Sequence, residues 1–296
     1  MDARHRPGEA GLAAPIIHVT ARAKAIDATN TSDDGRGGFS AVHSVVIAGD
    51  VSCMLLHAQN ITKHFGGLTA LNDVSFTVQA GETLGLIGPN GSGKSTLFNV
   101  IAGTFPPSSG TVELDGKDVT ALSAYAIAKQ GIGRTYQSVR PFMHLTVLEN
   151  VMAACWYGNP SIKSRKDAEA RSHDLLARVS LDDKSYLTAS SLNVMQRKWL
   201  EIARALATEP KLLLLDEFMA GLNSYEVTEA VAFIKRLKDY GVTVIVVEHI
   251  MKAITSCSDR IVVLSAGRKI ADGVPADVVK NPDVISAYLG SSYAHI

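Results

Sequence analysis

The stretch Gly88-Pro89-Asn90-Gly91-Ser92-Gly93-Lys94-Ser95 decides how this chain is read. It is a glycine, four residues, then Gly-Lys-Ser. Thr83-Leu84-Gly85-Leu86-Ile87 before it reads as a short buried strand, and Thr96-Leu97-Phe98-Asn99-Val100-Ile101 after it as the start of a helix. Strand, glycine-rich loop and helix in that order make a phosphate cradle. The glycines let backbone N–H groups turn inward around a polyphosphate, and the helix N-terminus adds the positive end of its dipole. Lys94 would offer a full positive charge to the outer phosphates, and the Ser95 hydroxyl could ligate Mg²⁺. The ligand expected along Gly88 to Thr96 is a nucleoside triphosphate.

Composition narrows the setting. A chain of 296 residues holds one large domain or two modest ones, with ample core. Lys plus Arg number 29 and Asp plus Glu 29, so the net charge is zero. No broad positive surface is set out for nucleic acid, and a triphosphate must be neutralised locally. Cys53, Cys155 and Cys257 have neither metal nor redox spacing and read as reduced packing thiols of a cytosolic protein. No apolar run reaches the roughly 18 residues of a spanning helix, and the N-terminus lacks the basic-then-apolar pattern of a secretory signal.

Outward from the cradle, residues 1–53 carry no sustained periodicity and contain the break Asp33-Asp34-Gly35-Arg36-Gly37-Gly38. They are expected to be a disordered leader or an over-long start, with the fold beginning at Met54. Leu55 to Thr62 and Leu71 to Val78 read as strands joined through Lys63-His64-Phe65-Gly66-Gly67. Phe65 could stack on a purine or simply cover the sheet. A hairpin is expected at Thr111 to Val119 around Asp115-Gly116, and a short helix at Ala124 to Lys129. Thr146-Val147-Leu148-Glu149 is a capping-box pattern opening a helix towards Cys155. Further helices are expected at Ser164 to Val179, Val194 to Ala207, and after the cap pattern Asn223 to Glu226. Strands are expected at Leu212 to Leu215, Val242 to Val247 and Ile261 to Leu264. This alternation argues for an α/β fold with a mainly parallel sheet, and residues 142–191 read as a helical insertion.

Leu212-Leu213-Leu214-Leu215-Asp216-Glu217 is an apolar strand that ends in two carboxylates. At the C-terminal edge of a parallel sheet these would lie beside the cradle. Asp216 could then hold Mg²⁺ with Ser95, and Glu217 could orient or deprotonate an attacking water. His249, at the end of the next strand, could hydrogen-bond the γ-phosphate. Gln137 could reach the metal or the water, or be a solvated side chain.

These pieces in this order resemble the nucleotide-binding subunit of an ABC transporter, over residues 55 to 290. Phe65-Gly66-Gly67-Leu68, Leu145-Thr146-Val147-Leu148-Glu149-Asn150-Val151, Met219-Ala220-Gly221-Leu222-Asn223, Val247-Glu248-His249 and Ala287-Tyr288-Leu289-Gly290 are similar to ATPases of branched-chain amino-acid importers. The resemblance implies a P-loop NTPase of the ABC ATPase kind. Its ATP-binding core, with an antiparallel β subdomain, would span 54–141 and 192–265. A helical subdomain would span 142–191, and a C-terminal extension 266–296. It also implies catalytic roles for Glu217, His249 and Gln137, and Mg²⁺ ligation by Ser95, Asp216 and Gln137. ATP would contact Gly88 to Thr96, with adenine on Phe65. The implied partners are two transmembrane permease subunits, a second ATP-binding subunit and, indirectly, an extracytoplasmic solute-binding protein, at the cytoplasmic face of the plasma membrane.

Two departures stand out. The family's Leu-Ser-Gly-Gly-Gln segment, which caps ATP on the other subunit, is here Leu192-Asn193-Val194-Met195-Gln196. Asn193 can still donate through its amide in trans, but Val194 and Met195 bring bulk where glycines allow close approach. Asn223 replaces the usual aspartate after the acidic motif. Both changes would suit an asymmetric pair. The alternatives are another small solute, such as a different amino acid or urea, or a soluble ABC-type ATPase outside transport.

Overall fold

The computed structural model describes residues 53–136 and 140–289. The chain opens with a hairpin of β1 (Met54–Phe65) and β2 (Leu68–Gln79). The strands run further than the sequence suggests. Phe65 pairs with Leu68, so Gly66-Gly67 alone makes the turn, with Gly66 at φ 57°. Strand β3 (Thr83–Ile87) leads into α1 (Lys94–Ile101), which begins two residues earlier than expected because Gly93, at φ 102°, is its N-cap. Next come β4 (Ser109–Leu114) and β5 (Lys117–Asp118), turned at Asp115 and Gly116, which both lie in the left-handed region. Helix α2 (Ala124–Gln130) precedes β6 (Ile132–Arg134), a strand too short for periodicity to reveal.

The middle of the chain is helical, with α3 (Val147–Gly158), α4 (Arg165–Arg178) and α5 (Val194–Leu206). Strand β7 (Leu212–Asp216), α6 (Ser224–Leu237), β8 (Thr243–Val247), α7 (Met251–Cys257) and β9 (Arg260–Ser265) restore the alternation. Beyond residue 265 the sheet continues, because β10 (Arg268–Gly273) pairs antiparallel with β9 across Ala266-Gly267. The C-terminal extension therefore begins with a strand of the core sheet, followed by α8 (Pro275–Val278) and α9 (Pro282–Leu289).

Among the described residues there are two sheets. One is antiparallel, in the order β2-β1-β4-β5. The other runs β10-β9-β3-β8-β7-β6, parallel except for β10. Strands β3, β7 and β8 are buried along their whole length, so their side chains divide by alternation between two cores. Leu84, Leu86, Leu212, Leu214, Ile245 and Val247 face α1 and the antiparallel sheet. Leu213, Leu215, Val244, Val246, Ile261 and Val263 face the helical layer that includes α5, α6 and α7. Phe98 of α1, fully buried in the first core, would cost about 3–5 kcal/mol to truncate to alanine.

Cys155 and Cys257 are buried free thiols, and burial raises the Cys257 pKa to about 11. Cys53 is exposed, so it is not the packing residue expected. No helix of the described residues is long and apolar enough to cross a membrane.

Candidate functional site

Parallel register brings the chemistry together. Leu86 of β3 and Asp216 of β7 both pair with Val247 of β8, so the three strands end at one level. The segments leaving these strands therefore meet at the same sheet edge: the Gly88 to Ser95 loop, Glu217, and Glu248-His249. They border an open cleft of ≈ 530 Å³ whose lining includes Phe65, Lys94, Ser95, Glu217 and His249. That lies within the size range of small-molecule and cofactor sites, roughly 300–1,000 Å³.

The loop conformation requires its glycines at two points. A Cβ on Gly88 (φ 152°) would lie 2.1 Å from the Leu264 carbonyl oxygen, and one on Gly93 (φ 102°) 2.7 Å from that of Ala70. Unlike α3, α5 and α6, which each carry a full capping box, α1 has no side-chain cap and no acid in its first turn. Its first N–H groups and dipole are left for a ligand at the cleft. Lys94 is buried and donates to the Gly88 oxygen at 2.8 Å and the Pro89 oxygen at 3.0 Å, bracing the loop. Burial lowers its pKa, with Glu217 and Asp216 opposing.

Across the cleft, His249 Nε2 lies 2.7 Å from Glu217 Oε1. Glu217 sits at φ 48°, a conformation that costs a non-glycine residue about 1–2 kcal/mol and turns its side chain out of the strand line. Asp216 is buried, and its Oδ2 accepts from Arg134 Nη2 at 3.0 Å. Arg134 also donates to Asn99 Oδ1 at 2.7 Å, tying β6, β7 and α1 together beneath the site. Sequence reading missed Arg134. The only signal available was an arginine ending a short strand that turns out to neighbour the strand ending in Asp216.

The other expected residues divide. Phe65 is 45% exposed at the cleft, edge-on to Phe105 with ring centroids 5.3 Å apart, so an outer face remains for a flat ring. Asn193 is not in this cleft. It caps α5, accepting from Gln196 N at 2.8 Å, and lines a separate hollow with Asn223. Its Oδ1 is used by the cap, which leaves the amide NH₂ outside the cap, while Val194 beside it is 67% exposed. Asn223 caps α6, accepting from the Tyr225 and Glu226 amides at 3.0 Å each. Gln137 lies outside the described residues.

The family described as "ABC transporter" matches residues 71–220, half of the chain. The chain belongs to the ABC transporter family. It is an ATPase of that family, and a second family, "Branched-chain amino acid ATP-binding cassette transporter", matches residues 268–294. Among its relatives is the "High-affinity branched-chain amino acid transport ATP-binding protein BraF" of Pseudomonas aeruginosa, 38% identical over 80% of this chain and 98% of the relative. The corresponding LivG protein of Escherichia coli stands at the same identity and coverage. The lipopolysaccharide export ATP-binding protein LptB of Escherichia coli is 34% identical over 80% of this chain and 98% of its own length. An ATP-binding cassette of an ABC transporter solved in its ADP conformation superposes with TM-score 0.73 at 32% identity, over 80% of this chain and 99% of that one. The fold expected from sequence, a parallel-core α/β ABC ATPase with antiparallel and helical parts, is the fold found.

Proposed function

We propose that this ABC ATPase powers the import of branched-chain amino acids as a peripheral subunit on the cytoplasmic face of the plasma membrane. Support for hydrolysis rests on one observation: Lys94 and the Glu217–His249 pair line the cleft, with Asp216 buried at the same sheet edge. Support for the cargo is the likeness over residues 268–294 and to relatives named for branched-chain amino-acid transport.

In this reading the Gly88 to Thr96 backbone and the uncapped start of α1 receive the outer phosphates of ATP, and Lys94 exchanges its carbonyl partners for phosphate oxygens. Ser95 and Asp216 offer hard oxygen donors, a set that suits Mg²⁺ bound mainly through substrate phosphates and water. When bound, the ion neutralises developing charge on the outer phosphates. Arg134 keeps Asp216 aimed at that position. Glu217 accepts the proton of the attacking water, and His249 holds the carboxylate until the γ-phosphate competes for its ring. Phe65 stacks on the adenine, and Gln137 contacts the metal or water. The Asn193 amide contacts ATP held by a second, similar cassette, so ATP bridging the two supplies the closing free energy. Residues 54–141 and 192–265, with the edge strand β10, then form the ATP-binding core, and 142–191 the helical part that, with Gln137, faces the permease subunits. A groove of ≈ 560 Å³ lined by Tyr136, Arg140 and Glu201 supports that surface. A solute-binding protein acts outside the membrane, and nucleic acid has no part.

A C-terminally tagged chain is recovered from detergent-solubilised native membranes, and uptake of labelled leucine, isoleucine and valine is measured in a strain lacking the gene. The reading predicts co-purification of two polytopic subunits and a second ATPase, with loss of branched-chain uptake. Ribosomal or DNA-bound partners would overturn transport; loss of urea or another solute's uptake alone would overturn the cargo.

A further inference from the structure

The segment between the catalytic carboxylate and α6, Glu217 to Asn223, is held by two buried charged side chains that take no direct part in the hydrolysis just described. Lys198 of α5 is 8% exposed, and its ammonium donates to the Phe218 carbonyl at 2.8 Å and also to the Ala220 carbonyl. Glu248, at the end of β8, is 2% exposed and accepts from the Met219 N–H at 2.6 Å. Three successive residues are thus gripped in alternation, carbonyl, N–H, carbonyl, by a cation from one side and a carboxylate from the other. The polarities match: an ammonium has three donors and no acceptor, a carboxylate only acceptors. Lys198 and Glu248 make no direct ion pair; each is compensated by backbone and, at longer range, by the other's charge. A buried pair spent in this way on one loop indicates a geometry that packing alone does not hold.

That geometry is the one the catalytic carboxylate needs. Glu217 immediately precedes the gripped residues, carries the strained φ of 48°, and donates its N–H to the Val247 oxygen at 3.0 Å. Glu248 precedes His249, the partner of the Glu217 carboxylate. Lys198 lies five residues beyond Asn193 on the helix that Asn193 caps. Trp199 packs edge-on against Phe218 with centroids 5.1 Å apart, seating the same segment from the next position of α5.

We propose that Lys198 and Glu248 are positioning residues for hydrolysis. They hold the peptides of Phe218 to Ala220, and so fix the Glu217 carboxylate against His249 and tie it to the helix that begins at Asn193. This inference rests on Glu217 being the base that receives the water's proton.

The test compares Lys198→Met, Lys198→Arg, Glu248→Ala and Glu248→Gln, alone and combined with Glu217→Gln, in the full chain assembled with its membrane subunits. Turnover, the KM for ATP and the Kd of a fluorescent ATP analogue are read for each. Lys198→Met should lower kcat by about 10- to 100-fold, as for a displaced catalytic group, while Kd changes by less than about twofold. Lys198→Arg, whose guanidinium can serve both carbonyls, should recover most of the loss. Glu248→Ala should fall in the same way and Glu248→Gln, which keeps an acceptor for Met219, should recover. The Glu248 pair carries the test if Lys198→Met does not fold. In the Glu217→Gln background Lys198→Met should add nothing. Unchanged kcat in both Lys198→Met and Glu248→Ala, an equal loss of nucleotide affinity, or full additivity with Glu217→Gln would overturn the proposal. If Glu217→Gln alone turns over normally, the base assignment fails first, and the two failures are told apart.

Discussion

Replacing Arg134 by methionine tests how the site holds its acid. The Arg134 and Asp216 side chains are 12% and 10% exposed, their closest approach is 3.0 Å, and Arg134 has a second partner in Asn99 at 2.7 Å. Methionine fills most of the same volume, so the change removes charge and hydrogen bonds more than packing. A carboxylate left buried without its cation costs about 3–5 kcal/mol. The Arg134–Asp216 contact uses a single nitrogen–oxygen pair, which argues for the lower end, about 3 kcal/mol. For a domain of this size that corresponds to a fall in Tm of roughly 6–12 °C. Urea unfolding of the nucleotide-free protein gives the free energy directly. Asp216→Asn on the Arg134→Met background should return part of it, because the stranded charge is gone; a double-mutant cycle should give a coupling of at least about 1.5 kcal/mol. A loss below about 1 kcal/mol, the range of exposed pairs, would refute the reasoning.

Other perturbations test neighbouring parts of the same geometry. Lys94→Ala removes the one full charge on the phosphate loop and should abolish nucleotide binding in equilibrium titration; unchanged affinity would contradict the cradle. Asn223→Ala strips the cap of α6 and should cost about 1 kcal/mol, whereas Asn223→Asp should be tolerated; equal Tm values for all three would contradict the cap. Burial raises the Glu248 pKa to about 7, so the folded state binds this proton more tightly than the unfolded chain. Its contribution favours folding at low pH and is lost as pH rises from the ordinary carboxylate range through about 7, on the order of 3 kcal/mol. The stability of the parent protein relative to Glu248→Gln should therefore fall between pH 5 and 8 by roughly that amount; a flat difference would mean that Glu248 titrates like a surface acid.

Whatever is written locally could be read in advance. The Gly88 to Ser95 loop, the four leucines ending in Asp216 and Glu217, and the boxes Thr146–Glu149 and Asn223–Glu226 each lie within a few residues and carry their own physical reason. Asn193 to Gln196 is also a capping box, visible as Asn-x-x-Gln, but it drew attention as a departure from the Leu-Ser-Gly-Gly-Gln pattern. The contacts that brace the site were not legible. Arg134 meets Asp216 across 82 positions and Lys198 meets Ala220 across 22. Such pairs depend on which strands neighbour in the parallel sheet and on where a helix lies over a loop, and no spacing rule encodes either. The edge strand β10 was hidden because Ala266, at φ 47°, does part of the turning that glycine or asparagine usually signals.

Glu217→Gln tests the central claim most directly. The amide keeps the shape and can still bond His249 and a water, but it cannot take the water's proton. Nucleotide affinity and steady-state turnover are measured on the same preparation. The account predicts unchanged ATP affinity with turnover lower by roughly 10²–10⁴. Near-normal turnover at unchanged affinity would contradict it and move the base elsewhere in the cleft.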